Sequence, residues 1–143
     1  MSQGVKHIDI VQPEGWGRPR GYSNGMSARG RMVFVAGQIG WDANEDFHSD
    51  QLPEQFRQAL RNVLTVVEAA GGTASDVVRL TIYVTDLDAY RSSLAEVGAA
   101  YREVMGKNFP VMALLGIAGL VEPRAKVEIE ATAVIEDGAE ETA

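Results

Sequence analysis

Residues 109–133 read FPVMALLGIAGLVEPRAKVEIEATA. The segment closes in Val127-Glu128-Ile129-Glu130-Ala131, two carboxylates set among Val, Ile, Ala and Thr. Strand alternation sends Glu128 and Glu130 to one face and Val127, Ile129 and Ala131 to the other. An ionised carboxylate is costly to take out of water, so acids in a buried strand are either paired or chemically employed. Ahead of them, residues 111–117 form a second apolar run that reads as a strand.

Toward the amino terminus the pattern repeats with helices between. Residues 6–11, 22–28 and 32–39 read as strands. Residues 13–21 form a Gly- and Pro-rich loop, Arg29-Gly30 a turn, and 41–51 a polar loop. Gly37 interrupts the third strand, which marks a bulge or a close approach of backbone or ligand. Phe56, Leu60, Val63, Val67 and Ala70 recur at helical spacing, with Pro53 in the first turn and Gly71-Gly72 as the stop. Residues 76–85 are rich in β-branched side chains and read as a strand. A second helix, capped by Asp86 or Asp88, carries Tyr90, Leu94, Val97, Tyr101 and Val104 or Met105 on one face and ends at Gly106. Residues 126–135 are the last strand.

The order is β, β, β, α, β, α, β, β, an α+β fold. Two helices with one apolar stripe each cover one face of a sheet. The strands VFVAGQI and VMALLGIAGL are too apolar on both faces to leave the other in water, so self-association is expected.

The chain has 143 residues and 45% hydrophobic content, which suits a single domain over 1–135 with an acidic tail at 136–143. There is no Cys, which removes disulfides, thiolate nucleophiles and Cys-ligated metal. His7 and His48 are far apart, so no metal and no cofactor is expected. The net charge of −7 argues against a nucleic-acid partner. No apolar run reaches the roughly 18 residues of a membrane span, and no signal peptide is recognisable. A cytoplasmic protein is the expectation.

In several places the sequence resembles the Rid family (YjgF/YER057c/UK114). Tyr22-Ser23-Asn24-Gly25 is similar to its Pro-Tyr-Ser-Gln-Ala segment, with Gly21 in place of the Pro. Residues 33–39, Val-Phe-Val-Ala-Gly-Gln-Ile, are similar to Val-Phe-Val-Ser-Gly-Gln-Ile, with Ala36 in place of the Ser. Gln55, Ala59, Asn62 and Val63 follow a family helix pattern, and Ala69-Ala70-Gly71 and Asp76-Val77-Val78 match the helix end and the next strand. Pro110 to Ala113 and Val127 to Ala131 match the carboxy-terminal signature. The resemblance implies a chorismate-mutase-like subunit, a homotrimer with clefts between subunits, and a small-molecule ligand.

It also implies roles. Glu128 matches the family acid that positions or activates water; the other reading is a structural acid at an interface. Met112 stands where imine deaminases hold a substrate carboxylate with Arg, and Gly98 where they often have Asn. A typical 2-imino acid deaminase is therefore not expected, because a carboxylate clamp is a contact that Arg makes and Met cannot. Arg20, Arg102 and Arg124 are candidates to replace it, or are plain surface residues. Tyr22 lines the cleft or belongs to the core, Trp41 walls the cleft or anchors a loop, and Leu114 lines the cleft or fills the core. The implied chemistry is hydrolysis or tautomerisation of an imine, enamine or related carbonyl compound, with a non-catalytic binding or regulatory trimer as the alternative.

Overall fold

The computed structural model describes residues 6–138. Most of the proposed acidic tail, residues 139–143, lies outside them. The strands are β1 (Ile8–Val11), β2 (Gly25–Ala28), β3 (Arg31–Ile39), β4 (Val77–Val84), β5 (Val111–Gly116) and β6 (Val127–Ile135). The helices are α1 (Leu52–Ala69), α2 (Leu87–Ser92) and α3 (Leu94–Met105). β1 and β2 form an antiparallel hairpin. The other strands make one mixed sheet in the order β3-β6-β4-β5, with β4 and β5 parallel and the other pairs antiparallel.

α1 places Leu52, Phe56, Ala59, Leu60, Val63 and Val67 against the sheet. Fully burying a side chain of this size stabilises by roughly 2 kcal/mol. The sheet answers with Val35, Leu80, Ile82, Val127, Ile129 and Ala131. α3 adds Val97, Ala100, Tyr101 and Met105 to the same layer. Gly71 ends α1 with φ at 93°, and the amide of Gly72 donates to the Val67 carbonyl at 3.0 Å.

The second helix is not continuous as expected, and Ser93 breaks it into α2 and α3. The Ser92 and Ser93 hydroxyls both donate to the Ala89 carbonyl, at 3.1 and 2.7 Å. The Ser93 amide turns to the Tyr90 carbonyl instead, at 3.0 Å. Hydroxyls competing for a helical acceptor interrupt the ladder. Leu94, which the stripe assigns to the buried face, is consequently 57% exposed.

Two amides on α1 lock the chain ends that frame the sheet. The Asn62 Nδ2 donates to the carbonyls of Ile39 and Trp41, at 3.1 and 2.7 Å, fixing the exit of β3. Gln55 is 1% exposed. Its Nε2 donates to the carbonyls of Ser49 (3.0 Å) and Arg124 (3.1 Å), and its Oε1 accepts from the Lys126 amide (2.8 Å), fixing the entry to β6. A Cβ on Gly40 would come within 2.7 Å of the Gln55 Cα, so the glycine admits the helix.

Gln55→Leu keeps the volume and leaves those three backbone groups without partners. It should destabilise the protein by about 3 kcal/mol in urea unfolding, since each orphaned buried polar group costs about 1–3 kcal/mol. A loss below about 0.5 kcal/mol, the level of an ordinary surface substitution, would contradict this role.

Candidate functional site

Register divides the candidate residues between the two faces of the sheet. Leu80 pairs with Met112 and Ile82 with Leu114, so Met112 and Leu114 share the helix-covered face. Tyr83 pairs with Glu128 and Thr81 with Glu130, on the opposite face. Among the described residues no helix covers that face. It also carries Phe34, 72% exposed, Met32, 56% exposed, and Leu115, 44% exposed.

On the open face, Glu130 is engaged: the Tyr83 hydroxyl donates to its Oε1 at 2.6 Å. That bond, more than any other influence, holds the Tyr83 phenol above its ordinary pKa. The pair follows from β4–β6 register and was not foreseen from sequence. Glu128 has no hydrogen-bond or ion-pair partner among the described residues. Its carboxyl lies across Gly37, where a Cβ would come within 2.7 Å of the Glu128 Cδ. The irregularity between Val35 and Gln38 in β3 brings the Gly37 backbone there. The bulge and close approach read from Gly37 are thus one feature.

On the covered side, a pocket of about 520 Å³ opens beneath α3. Met112, Leu114, Ile82 and Phe56 line it from the sheet and α1, and Gly98 and Leu94 from α3. Tyr22 lies at its rim. The Ser23 amide donates to the Pro110 carbonyl at 3.1 Å and the Ser23 hydroxyl to the Phe109 carbonyl at 2.6 Å, pinning the Tyr22 loop to the start of β5. Tyr101 stacks on Phe109 with ring centroids 5.6 Å apart. Burial pushes the Tyr101 and Tyr90 phenols up, so both stay protonated donors. Tyr101 donates to the Asn108 carbonyl at 2.5 Å. The hydroxyl of Tyr90, another pocket residue, has no hydrogen-bond partner among the described residues. Tyr90, Leu94 and Tyr101 read as a helix stripe in the sequence, and in the structure all three line this cavity.

Trp41 and Arg124 do not reach this pocket. They sit near the ends of β3 and β6 where Ile39 faces Glu128. Trp41 packs on Phe47 with centroids 5.8 Å apart. Arg124 donates to the Asp50 Oδ1 from Nε (3.1 Å) and Nη2 (2.9 Å) and lies 5.1 Å over the Phe47 ring. Of the three arginines weighed as a substitute for the missing clamp, Arg20 and Arg102 line the Met112 pocket and Arg124 does not. No group of three or more His, Cys, Asp or Glu among the described residues is placed to hold a metal ion. No helix among them is long and apolar enough to cross a membrane.

Comparison with known proteins agrees with this architecture. Residues 17–135 match a family model described as Endoribonuclease L-PSP. A 2-iminobutanoate/2-iminopropanoate deaminase of Salmonella typhimurium is 36% identical over 105 residues, 73% of this chain and 80% of that protein. The human protein of the same name is 30% identical over 105 residues, 73% of each. Among solved structures, the Rid-family protein YyfB of Yersinia pestis, of unknown function, superposes with a TM-score of 0.81 at 31% identity, over 91% of this chain and all of that one. Rv2704 of Mycobacterium tuberculosis, a YjgF/YER057c/UK114 protein, gives 0.61 at 37% identity, over 80% of this chain and 87% of its own. The sheet order, the signature around Glu128 and these matches have one source: the chain belongs to the Rid (YjgF/YER057c/UK114) family.

Proposed function

We propose that this protein is a homotrimer of chorismate-mutase-like subunits. It binds a small planar metabolite in clefts between copies and hydrolyses or tautomerises an imine, enamine or related carbonyl compound there. The observation that carries this reading is the division of the site. Glu128 and the Met112 pocket lie on opposite faces of one sheet and cannot meet within a chain. The open face bears Phe34, Met32 and Leu115 in water, an apolar surface that a second copy would cover. A neighbour seated there brings its own pocket to this chain's Glu128.

In such a cleft Glu128 is the proton carrier. Cover by the neighbour would hold the carboxyl beside a bound water and away from bulk solvent, which suits proton transfer between the two. Gly37 beneath it leaves room for the carboxyl itself, which a Cβ there would displace. Tyr22, Gly98, Met112 and Leu114 would shape the substrate side, with Trp41 and Arg124 bordering the acid. The reading includes a cytoplasmic location and a small-molecule ligand in preference to RNA, since a chain of net charge −7 repels phosphate. The deaminase names of the relatives support the imine class. Met112 separates this chain from their small imino acids. A non-catalytic binding or regulatory trimer is the second reading, favoured by the loss of that clamp.

The first test is mass. Light scattering at micromolar concentration should give about three times the 15.4 kDa chain mass. Phe34→Asp should shift it toward the monomer, because a carboxylate would replace the most exposed apolar side chain of the open face. A wild-type monomer would remove the cleft altogether.

A second test concerns substrate. Ammonia release from 2-iminopropanoate should run about a hundredfold below an Arg-bearing relative, the effect of losing roughly 3 kcal/mol of charged hydrogen bonding. Met112→Arg should recover part of it. Wild-type activity equal to that relative would overturn the assignment of Met112.

Glu128→Gln separates enzyme from binder. Turnover should fall by roughly 10²–10⁴-fold if the acid moves protons. The melting temperature should hold or rise, because a desolvated charge has gone. A large drop in melting temperature with ligand affinity intact would support the binding trimer instead.

A further inference from the structure

Tyr83 stands directly across from Glu128. The two are partners in the β4–β6 register, and their side chains share the open face with Glu130. All three are partly buried. The Tyr83 hydroxyl does not turn to its own partner. It reaches past it to Glu130, whose register partner is Thr81, and donates to the Oε1 at 2.6 Å. A phenol has one proton to give. With that proton committed to Glu130, the Tyr83 oxygen offers only lone pairs to anything else. Glu130, through this bond, and then the charge of Glu128 hold the phenol above its ordinary pKa, so the hydroxyl keeps its proton and its direction.

An ionised carboxylate also accepts and never donates. Glu128, without a partner among the described residues, therefore stands beside a second oxygen that can only accept. Two acceptors cannot bond each other. Cross-strand partners have Cβ atoms about 5 Å apart, and a bridge between their side chains must bring two protons of its own. A water does so. We infer that Tyr83 and Glu128 together hold one water, the one that Glu128 activates in the proposed cleft, and that Glu130 acts on it only through Tyr83. As the water oxygen bonds to the carbon of a protonated imine, the C=N π pair moves to nitrogen and one water proton moves to Glu128. The other proton stays on the oxygen, held by Tyr83, so the attacking lone pair points away from both acceptors. The inference rests on the reading of Glu128 as the proton carrier, but one of its two tests needs no turnover.

The first test is a crystal structure of the full-length protein at a resolution that shows waters. One ordered water should lie within about 3.2 Å of both the Tyr83 Oη and a Glu128 carboxylate oxygen, and Tyr83→Phe should lose it. A well-ordered face on which no water touches both oxygens would overturn the inference. The second test is ammonia release from 2-iminopropanoate, with melting curves to verify that each variant is folded. Tyr83→Phe should lower kcat about tenfold and leave KM within about threefold, since the phenol touches the water and not the substrate. Glu130→Gln should lower kcat in the same sense. Added to Tyr83→Phe it should change kcat by less than about twofold, because nothing is left for Glu130 to orient. Effects of the two substitutions that multiply, or a kcat for Tyr83→Phe equal to that of the wild type, would sink the assignment. A wild-type protein that holds this water and releases no ammonia would defeat the imine reading of the cleft and leave the two holders of the water standing.

Discussion

A layer of two helical segments covers one face of the β3-β6-β4-β5 sheet, and the other face is left to find its cover elsewhere. Most of what distinguishes this molecule follows from that imbalance. The covered face closes a hydrophobic core around Leu60, Val63, Leu80 and Ile129, all fully buried. The open face presents Phe34 and Met32 beside Glu128, Glu130 and Tyr83. Glu130 takes up the Tyr83 hydroxyl and so has its partner within the chain. Glu128 has none among the described residues, and an acid beside exposed apolar side chains is expensive to cover unless the cover brings a partner, a water or a substrate.

The interactions that hold the site are mostly hydrogen bonds from side chains to the backbone. Gln55 and Asn62 hold three carbonyls and an amide near the ends of β3 and β6. Their rigidity sets where Glu128 sits relative to Gly37. Ser23 does the same for the Tyr22 loop, tying it to Phe109 and Pro110. Side-chain amides and hydroxyls thus carry the site's geometry, while the apolar stripes supply stability.

Periodicity in the sequence was enough to read the elements, because α1 alternates at helical spacing and β6 at strand spacing without interruption. The faces of Glu128 and Glu130 followed from the same alternation. The break at Ser93 was not legible, because it depends on two hydroxyls converging on one carbonyl, a competition that a stripe of Tyr, Leu and Val conceals. Nor could three arginines be sorted by spacing alone. Arg124 is engaged by Asp50, 74 residues away in the chain, whereas Arg102 reaches the pocket by folding over its own helix at Gly98. The residues quoted for the family resemblance identified the fold because they are the ones that close turns and hold strand ends. They say less about the chemistry, since the resemblance implies an Arg where this sequence has Met112.

The central claim is that Glu128 of one copy faces the Met112 pocket of another. The chain has no cysteine, so introduced thiols can be addressed without background. Chains bearing Met112→Cys and chains bearing Glu128→Cys would be co-expressed and treated with a short bis-maleimide. The account predicts linked pairs of about twice the 15.4 kDa chain mass, each joining one variant to the other. A chain carrying both substitutions should give no internal link while held as a monomer, because a full sheet stands between the two thiols. Internal linkage in that monomer, or no linkage between the two variants in the assembled protein, would contradict it.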